Sequence, residues 1–354
     1  MNTCTHFGLC GGCSFQNLSA ADYRALKRDA VVTALTRAGL GDMTVEAPVV
    51  VADFSRRRAV FKIRKTESGI EIGFHAAKSH SIVDMRECLV LVPSLFQFVA
   101  ALREGLSPIL NPGETAEAHV TFADNGLDVA LRWERKLAPA LTSQLAKAFA
   151  GKGVARFLIN KDIALEDAKP FVTLAGVAVP LPPHAFLQAS SQGETLLQDH
   201  VLALAKGSRN IVDLFAGLGT FTFALARGAK VHAVEQDKAA LDALAAAARN
   251  AQGLKPISTE RRDLFKLPLS FSELKAFDMA VLDPPREGAE AQIREIAASR
   301  LSKVAYVSCD AATFTRDAAI LGKAGFKPTA VTPIDQFRYS GHIELVAGFA
   351  RSKT

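Results

Sequence analysis

The sequence predicts an α/β fold whose C-terminal part is an open parallel sheet with helices on both faces. From about residue 186 onward, apolar runs of strand length alternate with runs of helical spacing. A glycine-rich turn, "DLFAGLGTF", follows the first of these strands. Alternating strands and helices are typical of parallel sheets, which bind ligands at the carboxyl ends of their strands.

The composition is that of a globular protein long enough for two domains. The chain has 354 residues and a formal net charge of +6, a mildly basic balance that is compatible with a nucleic-acid partner. The sequence has no apolar run long enough to cross a bilayer, and it begins without the apolar segment of a signal peptide. We therefore expect a cytoplasmic monomer, no membrane partner, and cysteines that are not paired in disulfides.

Three of the five cysteines lie close together near the N-terminus. Cys4, Cys10 and Cys13 have the spacing Cys-x5-Cys-x2-Cys, and two glycines let the last pair turn back towards one centre. Metal sites commonly take a fourth ligand from a distant part of the chain, and Cys88 is the next cysteine. The pattern favours a metal site over unliganded buried thiols, but the spacing alone does not separate zinc from a [4Fe-4S] cluster.

The segment after the cysteines predicts a helix followed by a basic β-ribbon. Residues 20–39 have helical spacing and end at a glycine, and two alternating runs joined by a turn come next. Arg58, Lys62 and Arg64 would share one strand face. Residues 55–65 hold six basic side chains and no acid. The ribbon is interpreted either as a surface that contacts RNA phosphates or as an ordinary solvated face.

The middle of the chain predicts a β-rich region. Residues 115–133 alternate on both sides of Asn125-Gly126, a dipeptide typical of hairpin turns. Short strands that end in prolines follow this hairpin. We therefore predict three regions: residues 1–90 with the cysteines and the basic ribbon, residues 91–185 as a central β-rich domain, and residues 186–354 as the α/β domain.

The glycine-rich turn indicates a nucleotide site that is neither for NAD nor for ATP. It lacks the G-x-G-x-x-G pattern and the Walker lysine. Gly217 and Gly219 allow the backbone to approach a ligand, and Glu235 ends the next strand, where it can accept ribose hydroxyls of an adenosine. This layout, with Asp-Pro-Pro after a later strand, is typical of S-adenosylmethionine (SAM) methyltransferases. The alternative is a methyltransferase fold that is retained only as a binding module.

Three polar residues near strand ends narrow the reaction. Asp283 lies in "VLDPPREG", Cys309 in "YVSCD" and Glu344 in "HIELV". A lone Cys309 would be interpreted as core, whereas a cysteine that faces a methyl donor beside carboxylates indicates a nucleophile.

Methylation of carbon 5 of a pyrimidine needs this set of groups. A thiolate that adds to C6 makes C5 nucleophilic, and a base must remove the C5 proton before the thiolate is expelled. A free thiol has a pKa of about 8.5, so Cys309 needs activation by its surroundings or by the substrate. Cytosine-5 enzymes typically carry a cysteine just after the proline of the Asp283-type strand, and "DPPREG" contains none. Uracil is therefore the favoured base.

The chain resembles the RNA (uracil-5-)methyltransferase family over nearly its whole length. The resemblance implies a Rossmann-like, class I SAM-dependent methyltransferase domain, preceded by an iron–sulfur and β-rich RNA-binding region. It assigns Cys309 as the nucleophile, Glu344 as the base that removes the proton, and Asp283 as the acid between cofactor and target base. It also implies that Cys4, Cys10, Cys13 and Cys88 hold a [4Fe-4S] cluster. The implied contacts to SAM are Gln188, Phe215, Gly217, Gly219, Thr220, Glu235, Asp263 and Asp283.

Some features of the chain depart from the family pattern. "SCDAA" stands where Ser-Cys-Asn-Pro is usual, and "DQFRYSGHIE" lacks the usual Phe-Pro and has Arg338 instead. The chain begins at the cysteines, so we expect no RNA-binding TRAM barrel ahead of them. The resemblance is therefore to cluster-bearing members without that barrel, which favours 23S rRNA as the substrate over tRNA. The competing hypotheses are a cluster-bearing RNA-binding protein without activity and an RNA cytosine-5 methyltransferase.

Overall fold

The structure is a computed structural model that describes residues 3–135 and 137–352. Several helices begin where a side chain accepts hydrogen bonds from the first free backbone N–H groups, as Ser19, Ser190, Asp237 and Asp310 do. Within the described ranges the α-helices are α1 (Ala20–Arg37), α2 (Pro93–Leu106), α3 (Pro139–Phe149), α4 (Ser191–Ala205), α5 (Thr222–Ala226), α6 (Lys238–Asn250), α7 (Glu290–Ala298) and α8 (Ala311–Lys323).

The strands form two large sheets and one small hairpin. In chain order they are β1 (Val49–Val50), β2 (Arg58–Thr66), β3 (Gly69–His75), β4 (Ile82–Asp84), β5 (Thr115–Ala123), β6 (Gly126–Arg132), β7 (Val154–Ile159), β8 (Asp162–Glu166), β9 (Phe171–Leu174), β10 (Val177–Pro180), β11 (Asn210–Leu214), β12 (Lys230–Glu235), β13 (Ile257–Arg261), β14 (Met279–Leu282), β15 (Lys303–Ser308), β16 (Lys327–Asp335) and β17 (Glu344–Ala350).

The C-terminal sheet confirms the predicted α/β architecture. Its eight strands have the order β1-β16-β17-β15-β14-β11-β12-β13, and all neighbours are parallel except β17, which is antiparallel to β15 and β16. Helices α4, α5 and α6 pack on one face, and α1, α7 and α8 pack on the other. Helix α4 and strand β13 were not predicted from the sequence, and the helix predicted after the glycine-rich turn is only five residues long.

The N-terminal sheet confirms the predicted alternation of its strands. Its order is β4-β3-β2-β5-β6-β7-β8, and the hairpin between β5 and β6 turns at Asn125-Gly126. Phe61 and Ile63 are buried under α2 and α3 in one apolar core. Because side chains alternate along a strand, Arg58, Lys62 and Arg64 lie on the opposite, open face of the sheet, whereas Lys65 lies on the face of Phe61 and donates to Ser107 at the end of α2.

Several contacts join the two sheets. β1 extends the C-terminal sheet by pairing with β16, and Val31 and Leu35 of α1 pack in the core that contains α8. The buried Arg57 donates to the carboxylate of Glu194 at 2.6 Å. The N-terminal sheet also includes strands from both sides of residue 90, and the three-region division of the chain stays a prediction. None of the helices described in the structure is both long and apolar enough to span a bilayer.

Candidate active site

The strand order brings the ends of four strands to one edge of the C-terminal sheet. β11, β14 and β15 are parallel neighbours, so the residues that follow them, including Asp283 and Cys309, lie at the same edge. β17 runs in the opposite direction, and its first residue, Glu344, therefore lies at this edge as well. The register pairs Ser308 with Leu345, so Cys309 and Glu344 are opposite each other one step further along.

These residues line a cavity of about 530 Å³. Gly219, Thr220 and Asp263, which were also predicted to contact a cofactor, lie outside its lining. The Asp263 carboxylate instead accepts from the backbone N–H of Phe265 at 3.1 Å and caps the turn after β13. The predicted site residues that do line the cavity are Arg58, Gln188, Phe215, Gly217, Glu235, Asp283, Cys309 and Glu344.

The glycine-rich turn has a backbone that few side chains tolerate. Phe215, Gly217 and Gly219 have φ angles of 62°, 56° and 96°, in the left-handed region that glycine adopts easily. A Cβ atom at Gly219 would lie 2.7 Å from the ring of Phe223. Gly219 is thus needed for the packing of the turn against α5, although it does not face the cavity.

Backbone N–H groups hold the carboxylate of Glu235 in place. Oε2 accepts from Gly217 at 2.9 Å, and Oε1 accepts from Gln236 at 2.7 Å and from Asp237 at 2.8 Å. The bond to Gly217 ties the end of β12 to the turn after β11. Glu235 is therefore a preorganised acceptor at the cavity wall.

A buried aspartate, which sequence reasoning did not assign, supports the same turn. Asp213 has a solvent exposure of 0%, and its Oδ2 accepts from the Thr222 hydroxyl at 2.5 Å. Burial, together with the nearby carboxylates of Asp283 and Glu235, raises the pKa of Asp213 to about 7. Its position as the last polar residue of an apolar strand was the available signal in the sequence.

A chain of amide side chains connects the two carboxylates of the cavity. Gln188 Nε2 donates to Asp283 Oδ2 at 2.9 Å, and Gln336 Nε2 donates to Gln188 Oε1 at 2.6 Å. Gln336 Nε2 also lies 3.2 Å from Glu344 Oε1. Burial raises the pKa of both Asp283 and Glu344, and the charge of Asp283 raises that of Glu344 further. A carboxyl group with a raised pKa can accept and release a proton near neutral pH.

Cys309 is half-buried at the end of β15, beside these carboxylates. Burial and the negative charges of Glu344 and Asp283 raise the pKa of its thiol to about 11, while the Arg286 guanidinium acts in the opposite direction. Asp310, the residue after Cys309, accepts from the backbone N–H groups of Ala312 and Thr313 and caps the N-terminus of α8. Cys309 thus lies between a capped helix and two acids.

Aromatic and basic side chains surround the mouth of the cavity. The Phe186 side chain is 69% exposed, and the Arg58 guanidinium lies 4.7 Å from the centroid of its ring. Arg58 also donates to the carbonyl oxygen of Leu187 at 2.5 Å. The other basic residues of the lining are Arg56, Arg262, Arg286 and His342.

The three predicted RNA-binding residues divide between two concave surfaces. Arg58 lines the cavity that contains Cys309, whereas Lys62 and Arg64 line a neighbouring groove of about 810 Å³. Both groove residues have acidic partners: Lys62 pairs with Glu117, and Arg64 Nη2 lies 2.7 Å from Glu71 Oε2. The groove also contains Arg132, Lys161, His75, His80 and His184.

A third cavity, of about 590 Å³, is lined by all four cysteines of the predicted cluster site. Burial and the nearby thiols of Cys88, Cys10 and Cys4 raise the pKa of Cys13 to about 12, so the four sulfur atoms share one electrostatic environment. A Cβ atom at Gly11 would lie 3.0 Å from the carbonyl oxygen of His75, and the missing side chain lets the loop press against β3.

The arrangement of these thiols does not match a site for a single ion. Within residues 3–135 and 137–352, no three side chains of His, Cys, Asp or Glu are grouped closely enough to hold one metal ion. In a four-iron cluster each thiolate binds a different iron, so the thiolates stand further apart than around one ion. The cluster stays a prediction.

Comparisons with known proteins agree with a methyltransferase fold. Residues 182–351 match the family described as tRNA (uracil-5-)-methyltransferase. An uncharacterized RNA methyltransferase of Agrobacterium fabrum is 44% identical over 352 residues, which cover 97% of this chain and 84% of the relative. The 23S rRNA (uracil(1939)-C(5))-methyltransferase RlmD of Halomonas elongata is 32% identical, over 96% of this chain and 74% of its own.

A solved structure shares the overall fold. The tRNA (uracil-54, C5)-methyltransferase of Pyrococcus abyssi, in complex with S-adenosyl-L-homocysteine, superposes with a TM-score of 0.77. The superposition covers 96% of this chain and 85% of that chain, at 22% sequence identity. The likeness confirms the predicted methyltransferase fold.

Proposed function

Because the chain belongs to the RNA uracil-5-methyltransferase family, we propose that it methylates carbon 5 of a uracil in RNA, with SAM as the methyl donor. The observation that carries the proposal is the meeting of Cys309, Asp283 and Glu344 in one cavity with the glycine-rich turn. A binding module without activity would not need a nucleophile and a base on adjacent strands.

The residues of the cavity fit SAM. Gly217 leaves room for the ligand, and the Glu235 carboxylate is already held by backbone N–H groups where it can accept from a ribose. Gln188 and Asp283 would meet the amino acid end of the cofactor, and Phe215 and Phe265, whose ring centroids are 5.5 Å apart, provide an apolar wall. When bound, SAM supplies a methyl group on a positively charged sulfur.

We propose that Cys309 acts before methyl transfer and that Glu344 acts after it. The Cys309 thiolate would attack C6 of the uracil, and the electron pair of the C5–C6 double bond would move to C5. C5 would then take the methyl group as the methyl–sulfur bond of SAM breaks and S-adenosyl-L-homocysteine leaves. Glu344 removes the C5 proton, the C5–C6 double bond forms again, and the Cys309–C6 bond breaks to release the thiolate. A carboxyl group with a raised pKa is suited to take that proton.

The raised pKa of Cys309 favours activation by the substrate. In the free protein the thiol is held neutral by burial and by two acids. A bound phosphate backbone would not lower this pKa, so the positive charges of Arg286 and of the bound methyl donor are the groups that favour the thiolate. Cys309 is then reactive mainly when the cavity is filled.

An RNA substrate is supported by the charges around the cavity. Burial and the neighbouring guanidinium groups of Arg56 and Arg57 lower the pKa of Arg58 to about 10, so a phosphate bound here would relieve the repulsion between them. Lys62 and Arg64 lie further along the same strand face. They would bind a flanking phosphate in place of their ion pairs with Glu117 and Glu71. We propose 23S rRNA as the substrate, which the RlmD relative supports, with tRNA as the alternative.

We further propose that Cys4, Cys10, Cys13 and Cys88 hold a [4Fe-4S] cluster. The cavity that the four cysteines share supports this assignment. A cluster would clamp the N-terminal loop onto β3 and onto the segment before α2. Reduced thiols and an RNA substrate both suit a cytoplasmic protein.

The test is nucleoside mass spectrometry of purified 23S rRNA and tRNA from cells with and without the protein. Loss of 5-methyluridine from the 23S rRNA alone, restored by the wild-type chain and not by Cys309→Ala, is the expected result. Loss from tRNA alone would move the substrate to tRNA, and unchanged 5-methyluridine in both pools would refute the proposed reaction.

A further inference from the structure

Gln336 lies behind the wall of the cavity, where its side chain connects Gln188 with Glu344. It follows β16, its exposure is 1%, and its side chain makes hydrogen bonds in three directions. Nε2 donates to Gln188 Oε1 at 2.6 Å and approaches Glu344 Oε1 at 3.2 Å, and Oε1 accepts from the backbone N–H of Ala189 at 3.0 Å. None of the predicted roles includes this residue.

The backbone determines the orientation of this amide. The N–H of Ala189 can only donate, so the atom of Gln336 that faces it must be the carbonyl oxygen, and the amino group must face the two acceptors. Gln188 accepts from Gln336 and therefore turns its own amino group towards Asp283. The backbone N–H of Ala189 thus determines the orientation of the Gln336 amide, which in turn determines the orientation of the Gln188 amide.

Glu344 is held at one oxygen and free at the other. Oε1 faces Gln336, while Oε2 is buried and has no hydrogen-bond partner among the residues that the structure describes. A buried carboxylate oxygen without a partner is costly unless a ligand approaches it. Oε2 is therefore the atom available to take a proton, and Gln336 limits the rotation that would move it away.

The fold leaves a fitted space for Gln336. A Cβ atom at Gly193, in the first turn of α4, would lie 2.7 Å from the Cβ of Gln336 and 3.0 Å from its Oε1. The Ser190 hydroxyl, which begins α4, lies 2.9 Å from the same position. Any side chain at residue 193 would displace Gln336.

We propose that Gln336 is a positioning residue that holds Glu344 for removal of the C5 proton and aligns it with Gln188 and Asp283 on the cofactor side. This inference rests on the proposed function. Formation of the Cys309–C6 bond does not involve Glu344, whereas release of the thiolate does. Loss of Gln336 should therefore slow the second event more than the first.

The experiment compares Gln336→Met with Gln292→Met in single turnovers on methyl-accepting RNA. Methionine keeps the length of the side chain and removes its hydrogen bonds. Gln292 is a matched control because it is also buried, at 0% exposure, and hydrogen-bonds with the backbone of Leu269 outside the cavity. Rapid acid quenching and denaturing gels with methyl-labelled SAM measure methyl transfer and the covalent protein–RNA adduct separately.

We expect Gln336→Met to resolve the adduct at least about tenfold more slowly than the wild type and to slow transfer of the first methyl group by a smaller factor, since small misplacements of a catalytic group have effects of this size. Gln292→Met should resolve the adduct normally. Resolution by Gln336→Met at the wild-type rate, or equal slowing in both variants, would overturn the inference.

Gly193→Ala provides a second test that keeps every hydrogen-bonding group. The added methyl group displaces Gln336, so the adduct should again persist. Normal resolution in a folded Gly193→Ala protein contradicts the inference even where Gln336→Met does not fold. A wild-type protein that methylates no RNA would overturn the proposed function together with this inference, whereas active wild type with unaffected variants overturns the inference alone.

Discussion

Cys309 and Glu344 face each other across the ends of two antiparallel strands. The pairing of Ser308 with Leu345 sets this relationship, and the charge of Glu344 contributes to the raised pKa of the Cys309 thiol. The nucleophile and the base proposed here therefore come from strands that run in opposite directions and meet at one edge of the sheet.

Cys309→Ala should abolish methyl transfer and leave SAM affinity nearly unchanged, because the thiol is proposed to contact the base rather than the cofactor. Calorimetry measures the affinity, and labelled SAM measures transfer. Wild type should also form a stable adduct on RNA that carries 5-fluorouridine, where no C5 proton can be removed. An active alanine variant would show that Cys309 is not the nucleophile.

Glu344→Gln should accumulate a slowly resolving protein–RNA adduct on ordinary RNA. The amide keeps the shape of the side chain but cannot accept the C5 proton, and loss of a general base typically lowers a rate by about 10² to 10⁴. Denaturing gels over time measure the adduct. Wild-type turnover without an adduct would assign proton removal to another group.

The rate of Cys309 alkylation by iodoacetamide in the protein without RNA or SAM, measured by peptide mass spectrometry, should rise with pH from 7 to 10. The pKa of Cys309 is raised to about 11, so the thiolate fraction increases about tenfold for each pH unit below that value. Arg286→Gln should shift the profile to higher pH, because the Arg286 charge lowers this pKa. Arg294→Gln, on the exposed face of α7, is the control. A profile that is flat over this range contradicts the pKa shift.

Replacing both Lys62 and Arg64 by Gln should lower the salt dependence of RNA binding. Each lost phosphate contact reduces the log–log slope by about 0.7 for single-stranded RNA. Fluorescence titrations at several salt concentrations measure the slope, with the exposed Lys152 and Arg294 replaced together as the charge-matched control. Equal slopes in both double variants would show that the groove is an ordinary solvated face. Lys62 and Arg64 would then form ion pairs with Glu117 and Glu71 and would not contact RNA.

Anaerobically purified protein should contain about four irons per chain. Cys88→Ser should lower the iron content and broaden the visible absorption of the cluster. Cys309→Ala should keep the iron content and the absorption spectrum of the wild type. Zinc in place of iron, measured by plasma emission, would reject the cluster. Equal loss of iron in both variants would show that the effect is not specific to the four N-terminal cavity cysteines.

Periodicity was sufficient to predict the α/β domain and most of its strands. The apolar runs of β11, β12, β14 and β15 are buried on both faces, and such strands have a clear sequence pattern. The partly exposed β13 was missed because its five residues have no apolar run or alternation that indicates burial.

Local sequence patterns predict which chemical groups follow which strands, because a short motif after a buried strand must lie at an edge of the sheet. How those groups act together depends on the packing of distant parts of the chain. The antiparallel β17 brings Glu344 to Cys309, and the packing of β16 against α4 places Gln336 between Gln188 and Glu344. Similarly, cross-strand neighbours pair Lys62 with Glu117 and Arg64 with Glu71. These relationships depend on strand order, register and burial between residues far apart in the chain, which local patterns do not encode.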